Sequence, residues 1–415
     1  MLMISGILAG KASANGFQLP DQDAFATARG EAFVATADNP AAIYYNPAGI
    51  TQLEGNNLRG GLYGSNLDSS FSPPNTAPNH GHTYNNQDKY AAVPQLFYTY
   101  TPHDSSLSYG LGVYAPFGGK SSWPQDTGFR AVALDGSLTY LTINPVVAFK
   151  VSPSISIAAG VMVNYADMEL EQGLGKFQKP LTNFFRFTGN GWSMGYNLGL
   201  LWQPHEKVSI GATFRSSASV TLNGQTDFEL QPYPNLSQAT NRSAHANFTF
   251  PFTVISGISY RPTPKWNIEF DADYTDWSSY DSTTIHQVNP PPPLSPNVSL
   301  KLYWQPSWMY EFGVTRYFDS GWHASAGFVY NENSVPNKYY TPIVADMDRY
   351  FFSAGTGYKG KHFNFDIAYQ FGYGPTHTVT GSKPPSTPGQ IVNQNANGKY
   401  DFISHAISAS VGWRF

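Results

Sequence analysis

The last thirteen residues of the chain, 403–415, alternate between apolar and polar side chains. The apolar positions are Ile403, Ile407, Ala409, Val411, Trp413 and Phe415, and the small or polar ones are Ser404, Ser408, Ser410, Gly412 and Arg414. Only His405 breaks the pattern. A period of two predicts an extended strand with one apolar face. An apolar outer face, a small polar inner face and a terminal aromatic residue are typical of the closing strand of an outer-membrane β-barrel, although a soluble all-β domain shares the alternation.

From residue 57 onward, similar alternating segments are separated by breaks of two kinds. Short breaks lie at 101–104, 152–154, 204–207, 262–265, 319–321 and 359–361, and long ones at 66–89, 116–129, 171–189, 223–243, 280–301, 334–347 and 374–399. The two kinds take turns along the chain, as periplasmic turns and extracellular loops do in membrane barrels. Counting through them predicts an all-β fold, an antiparallel transmembrane β-barrel of about fourteen strands.

The ninth predicted strand fixes which face looks inward. Glu269, Asp271 and Asp273 alternate there with apolar residues, and a charge in hydrocarbon costs several kcal/mol. These acids are therefore predicted to face the lumen, and the same reasoning assigns Phe248 and Phe250 to the lipid face. The predicted lumenal charges are Arg215, Glu269, Asp271, Asp273, Glu311 and Asp366. They are interpreted as a mutually paired wall that anchors a plug, or alternatively as contacts for a substrate head group.

The N-terminal part has a different character. Residues 1–14 combine a short apolar run with an Ala-x-Ala pattern, which predicts a signal peptide whose basic start is expected upstream. Residues 15–56 show neither strand nor long helix, but they repeat Asn-Pro-Ala at 39–41 and again at Asn46, Pro47 and Ala48. Asn caps helices and Pro suits their first turn, so each copy predicts a short helical turn. So small a domain cannot bury its own core, and it is predicted to lie inside the barrel of residues 57–415.

Composition supports a membrane barrel. Charged residues make up 13% of the chain and aromatic residues 15%, whereas soluble domains carry about 25% charged residues. Mean hydropathy is −0.32, and no apolar run reaches the roughly 18 residues of a transmembrane helix. A net charge of −4 argues against a nucleic-acid partner. The chain has no cysteine, which excludes disulfides and thiol chemistry.

Candidate chemistry is sparse. His80 and His82 lie in a loop rich in Pro and Asn without a spaced third ligand, and the chain lacks a Gly-x-Ser-x-Gly nucleophile motif. No catalytic residue, metal site or cofactor is therefore predicted, and the protein is expected not to be an enzyme. Three alternatives stay open: an outer-membrane lipid hydrolase, a non-specific porin, and a structural barrel or phage receptor.

Four stretches carry a resemblance to a known family. They are Gly16-Phe17-Gln18-Leu19, Asn46-Pro47-Ala48-Gly49-Ile50, Ala272-Asp273-Tyr274-Thr275-Asp276-Trp277-Ser278 and Asp346-Met347-Asp348-Arg349-Tyr350. With them the chain resembles the FadL/TodX family of outer-membrane channels for hydrophobic compounds. The resemblance implies that residues 15–56 form a hatch. It also implies passive uptake of long-chain fatty acids or, in one branch, monoaromatic hydrocarbons, with lateral release beside a kinked third strand.

Site residues follow as hypotheses from this resemblance. The ligand-binding candidates are Phe17 and, in the loop between the fifth and sixth strands, Phe177, Leu181, Phe184, Phe185, Arg186 and Phe187. An exposed apolar cluster favours a ligand and a cation favours a carboxylate, although these aromatics fit packing onto the barrel rim equally well. The predicted strand kink and lateral opening comprise Gly110, Gly112 and Pro116. Expected partners are a hydrophobic small molecule, outer-membrane lipid and, through Phe415, the barrel-assembly machinery; the chain is expected to be a monomer in a Gram-negative outer membrane.

Overall fold

The computed structural model describes residues 16–174, 183–229, 240–292, 294–383 and 394–415. Twenty strand segments form one antiparallel sheet. Their bounds are β1 Gly55–Ser72, β2 Tyr84–Asn85, β3 Tyr90–Thr101, β4 Leu107–Tyr114, β5 Gly118–Ser122, β6 Asp135–Ser152, β7 Ile155–Gly173, β8 Phe184–His205, β9 Val208–Arg215, β10 Ala218–Glu229, β11 Thr240–Phe250, β12 Thr253–Tyr260, β13 Trp266–Thr275, β14 Ser282–Gln287, β15 Asn297–Lys301, β16 Ser307–Tyr317, β17 Trp322–Asn331, β18 Arg349–Lys359, β19 Phe363–Val379 and β20 Gly398–Arg414.

These segments make a closed barrel of fourteen strands. Five of the fourteen consist of two consecutive segments, namely β4 with β5, β9 with β10, β11 with β12, β13 with β14 and β15 with β16. The two-residue β2 is not a strand of the barrel but pairs with Ser70 and Phe71 at the end of β1. The last segment, β20, pairs with β1 over sixteen residue pairs, from Asn57 opposite Arg414 to Ser72 opposite Lys399, and thereby closes the ring. The structure has a short connection between consecutive antiparallel strands at each of the six predicted short breaks. The predicted antiparallel β-barrel of about fourteen strands is confirmed.

The outer face is apolar. In β20, Ile407 is 59% exposed and Val411 55%, whereas Ser408 and Ser410 are buried, so the predicted faces of the closing strand are confirmed. Two rows of aromatic residues mark the ends of this apolar surface, as expected at the two membrane interfaces. Near the short turns lie Trp202, Trp266, Trp322 and Trp413. Toward the long loops, consecutive ring contacts join Tyr196, Phe214, Phe252, Tyr274 and Trp308.

The predicted lipid-facing positions of Phe248 and Phe250 are wrong. Their side chains are 3% and 1% exposed and pack in the lumen. In β11 the even-numbered residues face inward, but the break at Pro251 shifts the alternation, so that odd-numbered residues such as Ile255 face inward in β12. One interruption of a strand reverses the assignment of every side chain on one side of it.

Residues 16–54 lie inside the barrel. They contain two short helices, α1 Ala24–Ala28 and α2 Ala42–Tyr45, and the 3-10 helix Pro47–Gln52. Helix α1 contacts β17 to β20, and the 3-10 helix contacts β6 to β8, so this N-terminal segment touches widely separated strands of the wall. Among the described residues, no helix is long and apolar enough to cross a membrane.

The two Asn-Pro-Ala copies form helical turns as predicted. The Oδ1 atom of Asn39 accepts the amide of Ala41 at 2.8 Å, and that of Asn46 accepts the amide of Ala48 at 3.2 Å. The side-chain amide of Asn46 also donates to the carbonyl of Leu200 in β8 at 2.9 Å. The second copy therefore fixes the 3-10 helix to the barrel wall as well as starting it.

Candidate functional site

The predicted lumenal charges hold the N-terminal segment in place. All six are buried: Arg215, Glu269, Asp271, Asp273, Glu311 and Asp366. Glu269 pairs with Arg29 of the N-terminal segment at 3.0 Å and accepts the amides of Ala35 and Thr36 at 2.7 and 3.1 Å. A wall of carboxylates thus binds backbone N–H groups that no secondary structure satisfies. This geometry favours the interpretation that the charges anchor a plug.

A second anchor lies on the opposite side of the N-terminal segment. Arg59 of β1 contacts Asp23 at 2.5 Å and Asp366 of β19 at 2.7 Å. Asp366 also contacts Nε2 of His323 at 2.7 Å. Asp23 caps helix α1 by accepting the amide of Phe25 at 3.1 Å. Sequence reasoning identified Asp366 but missed Arg59 and His323, because only the fold brings these distant strands together.

The acids outnumber the cations between β13, β16 and the N-terminal segment. Asp271 and Glu311 stand directly opposite each other on neighbouring strands, an arrangement that is unfavourable for like charges. Glu31 of the N-terminal segment faces them across a small gap. Burial, followed by the nearby charge of Asp21, raises the pKa of Glu31 well above its usual range. Among the described residues, neither Oε1 of Glu31 nor Oδ1 of Asp271 has a hydrogen-bond partner.

Three of the four family-like stretches meet at the start of the described chain. The amide of Gly16 donates to Asp346 at 3.3 Å, and Nε2 of Gln18 donates to Asp273 at 2.8 Å. Phe17 lies between these two contacts. Its ring centroid is 5.1 Å from that of Trp304, 5.7 Å from Tyr280 and 5.9 Å from Trp277. The sequence Gly-Phe-Gln-Leu therefore presents one aromatic ring to the lumen while its neighbours bind the wall.

A lumenal cavity of about 250 Å³ lies beside this ring. Its lining is mostly apolar and includes Phe17, Leu138, Met168, Leu170, Phe185, Phe248, Tyr280, Ile285, Leu300, Leu302, Trp304, Tyr340, Ile343 and Val344. Lys301 and Lys383, both exposed side chains, also belong to the lining, as do Glu171 and Gln172. A mostly apolar cavity with a few charged groups is a typical site for a hydrophobic ligand with a polar end.

The predicted aromatic cluster is only partly in the loop assigned to it. Phe184, Phe185 and Phe187 belong to the beginning of β8, and the side chains of Phe185 and Phe187 are buried in the lumen. Phe185 lines the cavity, whereas Phe187 does not. Phe177 and Leu181 fall outside the described residues. Phe185 and Phe187 thus belong to the barrel interior because β8 begins earlier than the sequence pattern indicated.

Arg186 does not offer a free cation. Its guanidinium contacts Glu171 at 2.5 Å and Glu169 at 3.2 Å, both across the β7–β8 ladder. Two carboxylates of the wall thus already pair with it, and its contact with a ligand carboxylate stays a prediction. Lys301 and Lys383 are the cations that the fold places at the cavity, and their positions, far apart in sequence, carried no signal of this.

The third barrel strand is interrupted where the sequence predicts a kink. Its segments β4 and β5 are separated by Ala115, Pro116 and Phe117, which we call the wall interruption. The β3–β4 ladder ends at Leu96 opposite Val113. Continued by two residues, this register would place Pro94 opposite Ala115. Because proline has no N–H to donate, Pro94 and Pro116 both weaken main-chain pairing at this point of the wall.

Gly110 and Gly112, which were predicted to kink the strand, are explained by packing and not by a kink. Gly110 and Gly112 lie within β4 and pair regularly with β3 and β6. A Cβ atom at Gly110 would come within 2.9 Å of Cδ1 of Ile43, and one at Gly112 within 2.9 Å of its Cγ2. These glycines therefore make room for Ile43 of the N-terminal segment, and only Pro116 of the predicted three lies in the interruption.

Comparison with known proteins agrees with this architecture. The chain is 23% identical over 439 residues to the long-chain fatty acid transport protein of Salmonella typhi, covering 99% of this chain and 95% of that one. A FadL homologue of Pseudomonas aeruginosa superimposes with a TM-score of 0.82 at 19% identity, covering 96% of this chain and all of the other. The toluene transporter TodX of Pseudomonas putida gives 0.71 at 15% identity, covering 96% and 99%. The family profile described as outer membrane protein transport protein (OMPP1/FadL/TodX) matches residues 5–415. The chain thus belongs to this family and is an outer-membrane β-barrel of the FadL/TodX type.

Proposed function

We propose that the protein is a passive channel that takes up long-chain fatty acids or similar hydrophobic molecules. The lumenal cavity is the observation that carries this proposal, because apolar and aromatic side chains line most of it. Burying an alkyl chain there gains about 0.8 kcal/mol for each CH₂ group. No energy source is required when the ligand moves down its gradient. Residues 15–56 act as the hatch in this proposal, consistent with a lumen filled by residues 16–54.

Two lysines favour a fatty acid over an aromatic hydrocarbon. Lys301 and Lys383 belong to the lining of the cavity, and an ammonium group binds a carboxylate by a charge-assisted hydrogen bond. Toluene has no carboxylate, and its ring would meet an ammonium group only through a weaker cation–π contact. The name of the Salmonella typhi relative agrees with a fatty acid, whereas a monoaromatic hydrocarbon, the substrate named for TodX, remains the second candidate. The apolar walls of the cavity suit either ligand.

Lateral release is the proposed exit. A second cavity of about 30 Å³ borders the wall interruption, and its lining includes Pro116, Phe117 and Arg215. Phe117 and Phe17 both pack edge-on against Trp277, each with ring centroids 5.9 Å apart. Rotation of these rings would connect the two cavities. The ligand would then reach the wall at the place where main-chain pairing stops.

Binding is tested by tryptophan-fluorescence titration of the purified barrel with oleate and with toluene. We expect saturable oleate binding, weakened about tenfold when Lys301→Ala is combined with Lys383→Ala, because two charge-assisted contacts are lost. Lys265→Ala is the control and leaves oleate affinity unchanged, since this lysine pairs with Asp319 at an exposed turn and does not line the cavity. Binding of toluene alone would assign the protein to the aromatic branch, and binding of neither ligand would refute the transport proposal.

Release is tested separately in proteoliposomes that trap the incoming ligand. The double variant Pro94→Val with Pro116→Val restores two N–H donors to the facing strand edges and favours closure of the wall. We expect slower oleate uptake with unchanged equilibrium binding. A non-specific porin would instead admit sugars, which a liposome-swelling assay detects. Uptake at the wild-type rate in a barrel shown to have a closed wall would contradict lateral release.

A further inference from the structure

The backbone groups of the wall interruption take their hydrogen bonds from the N-terminal segment. The amide of Leu19 donates to the carbonyl of Pro116 at 2.8 Å, and the amide of Gly118 donates to the carbonyl of Phe17 at 2.9 Å. Gln18 and Phe117 form an isolated antiparallel bridge between these two bonds. The N-terminal segment thus pairs with the wall interruption through one antiparallel bridge, at the place where the third barrel strand no longer pairs with β3.

The backbone amide and carbonyl of Ala115 form their hydrogen bonds with a side chain, that of Gln22. Nε2 of Gln22 donates to the carbonyl of Ala115 at 2.9 Å and to that of Leu19 at 2.8 Å. Oε1 of the same residue accepts the amide of Ala115 at 3.4 Å. One carboxamide therefore offers Ala115 both an acceptor and a donor, as a neighbouring strand residue would. Gln22 is itself completely buried, and its backbone amide donates to Oη of Tyr45 at 3.1 Å.

Among the described residues, Ala115 has no hydrogen-bond partner in the wall that could replace these bonds. Ala115 is only 6% exposed, so water does not freely reach its backbone. The residue that the β3 register would place opposite it is Pro94, which has no N–H. A buried backbone group without a partner costs about as much as a lost hydrogen bond, roughly 1–3 kcal/mol. Among these contacts, Gln22 therefore satisfies the backbone of Ala115, where pairing with β3 has ended.

We propose that Gln22 is a positioning residue for lateral release, because it holds the wall interruption away from β3. This inference rests on the proposed channel function. Without the carboxamide, the amide of Ala115 gains an acceptor, the carbonyl of Pro94, only by moving toward the unpaired edge of β3, and this movement narrows the opening. Gln22 does not line the lumenal cavity, so its loss affects the exit of the ligand and leaves capture intact.

The test compares Gln22→Leu with Gln52→Leu. Gln52 is a matched control because its Nε2 also donates to two carbonyls, those of Thr36 and Ala37 at 3.0 and 3.1 Å, which lie within the N-terminal segment itself. We expect Gln22→Leu to slow oleate uptake into proteoliposomes about tenfold, with oleate affinity within about twofold of wild type. Gln52→Leu should change neither quantity. Uptake of Gln22→Leu at the wild-type rate, or an equal loss of affinity, would overturn the proposal.

Two further measurements keep the outcomes separate. Gln22→Met keeps the length of the side chain but offers Ala115 neither an amide oxygen nor an N–H group, so it should also slow uptake, and it is used if the leucine variant does not fold. Hydrogen exchange of residues 113–119 should change in both Gln22 variants and remain unchanged in Gln52→Leu. If the Pro94→Val and Pro116→Val barrel stops uptake while Gln22→Leu does not, the role of Gln22 is wrong and lateral release stands. If the closed wall does not slow uptake, lateral release itself fails.

Discussion

Replacing Glu269 by Gln should loosen the N-terminal segment more than any change of similar size on the surface. The two carboxylate oxygens serve four donors. Oε1 accepts the amides of Ala35 and Thr36, and Oε2 accepts Nη2 of Arg29 and the hydroxyl of Thr36. Glutamine has one acceptor oxygen, so in either orientation two donors face its NH₂ group. Arg29 would also lose the ion-pair partner of its buried charge, since its side chain and that of Glu269 are both 0% exposed.

The magnitude follows from these losses. Two charge-assisted hydrogen bonds contribute about 1.5–3 kcal/mol each, and removing one member of a buried ion pair costs about 3–5 kcal/mol. The two descriptions cover the same contacts and do not add, so the expected loss is about 4 kcal/mol for opening of the segment. At 1.4 kcal/mol for each factor of ten, this corresponds to about a thousandfold loss of protection.

Native-state hydrogen exchange in detergent measures this quantity for peptides that cover residues 29–36. Glu54→Gln is the matched control, because Glu54 is a surface residue whose side chain is 86% exposed and pairs with Arg414 at 3.2 Å. Such a pair contributes little, and the control should leave exchange unchanged. A change of less than about threefold in Glu269→Gln would refute the view that this ion pair anchors the segment.

Three further changes test other contacts. Glu31→Gln should raise the thermal stability of the barrel at pH 8 and flatten its dependence on pH. Since burial raises the pKa of Glu31 in the folded state, the folded chain holds a proton that the unfolded chain releases, and stability falls as pH rises above about 4; an unchanged slope would contradict this. Phe17→Ala should weaken oleate binding about fivefold by removing an aromatic wall of the cavity, and unchanged affinity would exclude contact with the ligand. Gly257→Ala places a Cβ atom 1.7 Å from Oδ1 of Asp271 and should lower stability by about 1–3 kcal/mol, whereas Gly64→Ala, whose nearest atom is 3.9 Å away, should not; equal melting temperatures for the two would refute the close approach.

Much of the barrel was predictable because the bilayer imposes a local rule on each strand. Lipid requires apolar side chains on one face and satisfied backbone groups throughout. The alternation in residues 403–415 and the acids of β13 therefore predicted the orientation of their strands before any partner was known. The alternation of short and long breaks predicted the order of turns and loops, and the Asn-Pro-Ala repeat predicted two helical turns by local capping alone.

The predictions failed where a strand changes phase or where a residue contacts parts of the chain that are distant in sequence. Phe248 and Phe250 were assigned to lipid because the alternation was read through Pro251, at which the strand changes phase. Gly110 and Gly112 suggested a flexible strand, but only the packed structure shows Ile43 against them. The ion pairs of Arg186 were missed because its partners, Glu169 and Glu171, lie on a neighbouring strand.

The sequence by itself determined that this chain forms a plugged outer-membrane barrel, because periodicity and charge act over a few consecutive residues. Which residues meet at the lumenal cavity and at the wall interruption was decided by the tertiary structure alone. It brings Lys301 and Lys383 to one cavity and joins Arg29 to Glu269 across 240 positions of the chain. It also sets Gln22 beside Ala115, 93 positions away. Such contacts depend on how the strands close around the N-terminal segment, and no local pattern records which residues that closure brings together.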